Sequence, residues 1–409
     1  MKKLKIFLAS IAPGIFLIGY NIGTGSITTM ASSGAAFGME LMWPLLLSCI
    51  FTYFLIVTFG RYTAITGNTI LFSFRQFFGK PITIFVLVSL LVSEWVSCMG
   101  VMGIVTQIIQ EWSKPLFADS SGISPIISAL VFGALLYYLF WQGKHSFFEK
   151  ILAIFVTVMG VSFIATMFMV IPDPKEIING LIPRIPKGTD KLLLAAGMVG
   201  TTMGAILYVV RSILVQEKGW KAKDLKIEKR DALISATMMF ILSIAIMASA
   251  AGTLYPAGLK VENAIDMVKL MEPIAGRFAI SVFVAGIVSA GLSSLFPIIL
   301  LAPWLFSDYN NKPRNMKSTQ SRLLVLIGVA FGLVVPIFGG RPVFVMILSQ
   351  SLAIIVTPLV LSLMLVIINR LAKTNNYPVT KWWYIFMGLV ILFTIAMAVA
   401  GISGIIGSF

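Results

Sequence analysis

Two glycine-rich stretches hold much of the chain's capacity for chemistry. The first reads Ile18-Gly19-Tyr20-Asn21-Ile22-Gly23-Thr24-Gly25-Ser26 and the second Gly197-Met198-Val199-Gly200-Thr201-Thr202-Met203-Gly204. Both sit midway along apolar runs. Asn21, Thr24, Ser26, Thr201 and Thr202 offer neutral oxygens, and Met203 offers a thioether sulfur. Glycine weakens a helix by ~1 kcal/mol relative to alanine. Several glycines beside hydroxyls that can bond freed backbone groups allow a local unwinding. Unwound backbone presents carbonyls to cations from one half-helix and N–H groups to anions from the other. The chemistry on offer is the gripping of a small solute. The competing reading is that Gly23, Gly25 and their counterparts are close-packing surfaces between helices.

Three further side chains stand out in apolar surroundings. Gln350 needs a partner, which is either a substrate or a neighbouring helix. Glu94, in Val92-Ser93-Glu94-Trp95-Val96, and Arg211 are charges within apolar segments. Such charges face a cavity or one another. Glu94 is therefore either a proton-coupling or cation-binding group, with Arg211 opposite, or half of a structural ion pair. Arg211 could also snorkel to the interface. Cys49 and Cys98 lie in apolar runs and read as core fillers, and His145 reads as a solvated loop residue. No His/Cys/Asp cluster, Ser-His pair or phosphate loop occurs among these segments, so an enzyme is not expected. No cofactor, nucleotide or nucleic-acid partner is expected either.

The elements that position these residues must be membrane helices. The chain has 409 residues, 58% hydrophobic and 11% charged; a soluble domain carries about a quarter charged. The net charge of +15 would suit nucleic acid in a soluble protein, but here the cations fall between apolar runs. A helix needs about 20 apolar residues to cross ~30 Å of hydrocarbon. Eleven segments qualify: 8–33, 39–66, 82–110, 123–142, 148–171, 191–216, 231–254, 275–306, 322–338, 343–369 and 383–408. The start Met1-Lys2-Lys3-Leu4-Lys5 resembles a signal-peptide n-region, but no Ala-x-Ala-like site follows, so it reads as an uncleaved first helix. With the amino terminus inside, every cytoplasmic loop is basic, most of all the run from Lys218 to Arg230. The expectation is a multi-pass protein of the inner (plasma) membrane, amino terminus cytoplasmic and carboxy terminus outside. Its partners are the lipid bilayer and a small ion or solute.

The two glycine-rich stretches open two sets of five spans. Because five is odd, the second set starts from the opposite side. That is an inverted repeat with broken helices one and six, and it places a substrate site near the midplane between them. The chain then reads as one transmembrane domain. Residues 8–171 form the first five-helix repeat, 191–369 the second, and 383–408 an extra helix.

With these segments in place, the chain resembles the Nramp family of divalent-metal transporters, which share the LeuT-like fold. Ala12-Pro13-Gly14 resembles the family's opening Gly-Pro-Gly, and the stretch from Phe59 to Gly67 resembles its end of helix two. Ala290-Gly291-Leu292-Ser293-Ser294 and Leu348-Ser349-Gln350 match its helix-eight and helix-ten motifs. Gln216 to Trp220, Asp224-Leu225 and Arg230-Asp231 resemble the loop after helix six in divergent bacterial relatives. The resemblance implies an all-α polytopic transporter of Mn, Fe or Mg-like ions, coupled to protons and working by alternating access. The departures matter. The family's Asp-Pro-Gly-Asn metal motif is replaced by Ile22-Gly23-Thr24-Gly25, and its Met-Pro-His by Met203-Gly204-Ala205. One of the two usual helix-three acids appears as Ser97. A site of Met203 sulfur, Gln350 and backbone carbonyls would be neutral and would hold a divalent ion weakly. A same-fold transporter of an amino acid, an organic anion or bicarbonate is therefore the alternative.

Overall fold

The computed structural model describes Leu17 and residues 23–142, 157, 160–161, 163–165, 167–170, 172–262, 266, 276–374 and 377–408. Among these there is no strand. The helices are α1 (Thr24–Phe37), α2 (Met42–Thr66), α3 (Ile70–Ser113), α4 (Pro125–Gln142), α5 (Pro174–Gly180), α6 (Thr189–Met203) and α7 (Ala205–Glu217). They continue with α8 (Leu225–Thr253), α9 (Gly276–Asn310), α10 (Thr319–Gly332), α11 (Val334–Phe338), α12 (Pro342–Lys373) and α13 (Lys381–Ile406). Nine stretches of the described residues are long and apolar enough to cross a bilayer. The first and fifth expected spans fall largely on residues outside the described set.

The expected third span is the later part of a longer element. α3 begins at Ile70 and bends at Gly79, whose φ of 82° is left-handed backbone. Only glycine adopts that conformation at little cost. Pro81 follows and starts the membrane-crossing part at the residue expected from hydropathy, within one turn. The short limb from Ile70 is tied down by neighbours. The Ile70 N–H donates to the Ser212 hydroxyl of α7 at 3.3 Å, and the Leu71 N–H donates to the Asp308 carboxylate of α9 at 3.3 Å.

The centre of the bundle is the α6–α7 pair, whose apolar window is wholly buried, against 28% for α4. α12 runs beside α3 and α6, α8 beside α1 and α2, and α9 beside α3. At Gly200 of α6 the approach is close: a β-carbon there would lie 1.8 Å from the Gln350 carbonyl oxygen of α12. α13 covers α6, α12 and α2. Phe51 and Phe54 of α2 meet Phe386 edge-on with ring centroids 5.5 and 4.7 Å apart, and Phe51 meets Phe393 at 5.2 Å. Arg61 of α2 donates to the Pro378 carbonyl before α13 at 2.7 Å and lies 4.8 Å from the Tyr377 ring centroid. It is an anchor at a helix end.

Candidate functional site between two helix breaks

The second glycine-rich stretch breaks its helix as expected. α6 ends at Met203, Gly204 adopts φ −53° and ψ 133°, and α7 starts at Ala205. A break at membrane depth needs partners for its freed backbone groups. Thr52 of α2 donates its hydroxyl to the Thr202 carbonyl at 2.9 Å. Thr357 of α12 accepts from the Ala205 N–H at 3.0 Å and lies 3.4 Å from the Met203 carbonyl. At the first stretch, α1 starts at Thr24 from an extended Gly23, with φ −96° and ψ −167°. Asn21 lies outside the described residues.

The α6–α7 break and the start of α1 face one small cavity of about 40 Å³; one water needs ~10–15 Å³. Gly23, Gly25 and Ser26 line it from α1, and Gly200, Thr201 and Gly204 line it from the α6–α7 break. Glu94 and Ser97 enter from α3, Ser294 from α9, and Met346 and Gln350 from α12. Glu94 is 4% exposed, and it is the charged side chain among the described lining residues. The rest of the polar lining is neutral and knitted together. Ser97 donates to Ser349 at 3.0 Å, and the Gln350 amide nitrogen lies 3.4 Å from each of these hydroxyls. The Ser26 and Ser243 hydroxyls are 3.5 Å apart. Gln350 thus has both kinds of contact considered from sequence: it bonds neighbouring side chains and it lines the cavity.

Some expected residues point elsewhere. Thr202 donates its hydroxyl to the Met198 carbonyl within its own helix at 2.9 Å and does not line the cavity. Met203 is fully buried in an apolar cluster with Val199, Ile354 and Val360. The thioether that reaches the cavity belongs to Met346, one turn before Gln350. Thr24 is fully buried with its hydroxyl toward α9, where a β-carbon on Gly291 would lie 3.3 Å away. Ser97 and Ser294 also line the cavity, beyond the residues expected from the sequence. The usable signal for Ser97 was its i+3 spacing from Glu94, which places both on one helix face.

The expected opposition of Glu94 and Arg211 is replaced by a different arrangement. Arg211 donates to Asp231 and, at 3.1 Å, to Glu228. All three side chains are fully buried, and the Trp220 ring centroid is 5.5 Å from the guanidinium. A buried guanidinium demands a counter-charge, and α8 supplies two carboxylates from a segment that reads in sequence as a solvated basic loop. Among the described residues, no three of His, Cys, Asp and Glu gather into a metal-binding group. The cavity therefore offers one carboxylate surrounded by hydroxyl, amide, thioether and backbone groups.

Residues 14–404 match the family model described as natural resistance-associated macrophage protein-like. A natural resistance-associated macrophage protein 2 homolog from Dictyostelium discoideum is 24% identical over 434 residues, covering all of this chain. The chain spans 65% of that relative's length. A divalent metal cation transporter MntH from Caldanaerobacter subterraneus is 24% identical over 304 residues, covering 71% of this chain and 69% of the relative. Among solved structures, a manganese transporter from Eremococcus coleocola superposes with a TM-score of 0.75 at 13% identity, covering 97% of this chain and 86% of that one. MhsT in complex with L-phenylalanine superposes with a TM-score of 0.66 at 16% identity, covering 97% and 98%. The structural likeness carries the LeuT-like helical fold, and the match over nearly the whole length carries the kinship: this chain belongs to the Nramp (natural resistance-associated macrophage protein) family.

Proposed function

We propose that the protein is a secondary transporter of a divalent cation, and that the cation rests in the cavity between the two breaks with Glu94 supplying the compensating charge. The observation that carries this reading is the single carboxylate set among neutral oxygen donors in the cavity at the α6–α7 break. A divalent ion that sheds water needs hard oxygen donors and negative charge. α3 provides that charge where the helix-one break has none. The related proteins' names, divalent metal cation transporter and manganese transporter, support the cation class. Proton binding and cation binding at one carboxylate are thermodynamically linked. Such linkage is a direct way to couple two gradients.

The transport cycle is alternating access about this cavity, within one domain built of repeats 8–171 and 191–369. The protein lies in the plasma membrane with its amino terminus inside and its carboxy terminus outside. Neither an enzymatic step nor a nucleotide enters this account. Glycine and threonine in place of the helix-one acid support a second reading, transport of an amino acid, an organic anion or bicarbonate on the same scaffold.

Proteoliposomes loaded with a metal-sensitive dye decide between them. Saturable uptake of Mn²⁺, Fe²⁺, Mg²⁺ or Ca²⁺ is expected, with at least tenfold lower uptake and a flattened pH dependence in Glu94→Gln. Absence of uptake for all four ions, together with thermal stabilisation by an amino acid or organic anion, would move the protein to the second reading.

A further inference from the structure

α8 is longer than the membrane it crosses. Its 29 residues reach about 43 Å at 1.5 Å each, against ~30 Å of hydrocarbon. From Ala232 to Thr253 it carries no charge, whereas its first turns hold Lys226, Glu228, Lys229, Arg230 and Asp231. The surplus length is therefore at the amino-terminal end, within the headgroup layer.

The charges at this end are sorted by sign. Glu228 and Asp231 turn inward to Arg211. Asp224 accepts from the Lys221 N–H at 3.0 Å, and Glu217 pairs with Arg314. Lys218, Lys221, Lys223, Lys226 and Lys229 are exposed. A bias of cations toward one side of the membrane accounts for their number but not for their register. Lys229 and Lys226 lie four and seven residues before Leu233, so the three share one face of the helix. Leu233 is 53% exposed, and the same face continues to Ile241, 37% exposed. An exposed apolar strip on a membrane helix faces acyl chains. Lys226 and Lys229 continue that strip toward the helix start, a register that would lay their stems along acyl chains and set their ammonium groups at the level of the phosphates.

We propose that the start of α8 and the turn before it, through Lys226 and Lys229 on the helix and Lys223 on the turn, are a binding site for the headgroups of anionic phospholipids. The first turns of α8 hold Arg211 on their opposite face, so bound lipid braces the helix that anchors α7, one wall of the central cavity.

The test uses the full-length protein in neutral detergent, titrated with phosphatidylglycerol or phosphatidylcholine and read by native mass spectrometry and thermal shift. Phosphatidylglycerol is expected to bind and phosphatidylcholine not. Binding should fall roughly hundredfold in Lys223→Gln/Lys226→Gln/Lys229→Gln, and should be unchanged in the exposed control pair Lys373→Gln/Lys381→Gln. On the unaltered protein, raising salt from about 0.1 to 1 M should displace the lipid, because the screening length falls from ~10 to ~3 Å. Equal binding by the triple variant, an equal loss in the control, or lipid that resists salt would overturn the proposal. Stabilisation by inorganic phosphate as strong as by phosphatidylglycerol would also overturn it, by assigning the lysines to a soluble anion.

Discussion

Gly25 and Gly200 both face α12, yet alanine should do different things at each. At Gly200 the new β-carbon would meet the Gln350 backbone carbonyl at 1.8 Å. Two helices would have to separate, at about 1–3 kcal/mol, and Gly200→Ala should lower the melting temperature in detergent. At Gly25 the β-carbon would meet the Met346 methyl at 2.6 Å and the Gln350 amide nitrogen at 2.8 Å. These are ends of flexible side chains that can swing aside, but only into the cavity. Gly25→Ala should keep the wild-type melting temperature and lose ion uptake in the dye assay. Glycine clusters and isolated polar residues were legible in the sequence, which is why Gly23, Gly25, Ser26, Thr201, Glu94 and Gln350 come together in one cavity. Met203 and Thr202 were not separable from their neighbour Thr201 by sequence. Around an interrupted helix, one residue of displacement turns a side chain by about 100°, and the break hides the phase.

At the scale of elements, the α6–α7 break rests on two hydroxyls. Thr357 serves both sides of the gap, and Thr52 serves the Thr202 carbonyl. Thr357→Val preserves shape but strands a buried N–H, at about 1–3 kcal/mol. It should melt earlier than wild type, and Thr357→Ser should not. The break itself was readable, because glycines clustered beside threonines midway along an apolar run weaken the helix and supply hydroxyls for the freed backbone groups. Its supports were not, since Thr52 is 150 positions from the carbonyl it serves and nothing local announces the pairing. The same holds for Arg211. Sequence shows a buried cation, but which carboxylate turns to meet it depends on how α8 leaves the loop. Arg211→Leu leaves Glu228 and Asp231 facing each other in an apolar setting, a loss of ~3–5 kcal/mol. Arg211→Leu combined with Glu228→Gln and Asp231→Asn should regain part of that loss in a thermal melt.

For the whole molecule, hydropathy marks the nine spans seen among the described residues, because backbone in lipid needs the regular hydrogen bonding of a helix wherever no neighbour supplies a partner. Charge bias then gives the proposed orientation. The orientation can be checked without altering the background, since Cys49 and Cys98 are both buried. In intact cells a membrane-impermeant maleimide should label a cysteine placed at exposed Lys187. It should label one placed at exposed Lys218 only after permeabilisation. The reverse pattern would invert the topology. Bends such as the one at Gly79 and the path of α13 are beyond such reasoning, because they are set by packing between distant segments. Phe386 and Phe393 of α13 interlock with Phe51 and Phe54 of α2, and Arg61 strapped to Pro378 closes the other end of that seam. Such a seam leaves α2 little freedom to tilt alone. In the proposed cycle the two helices are then a stator, and the rocking falls to elements that slide past it.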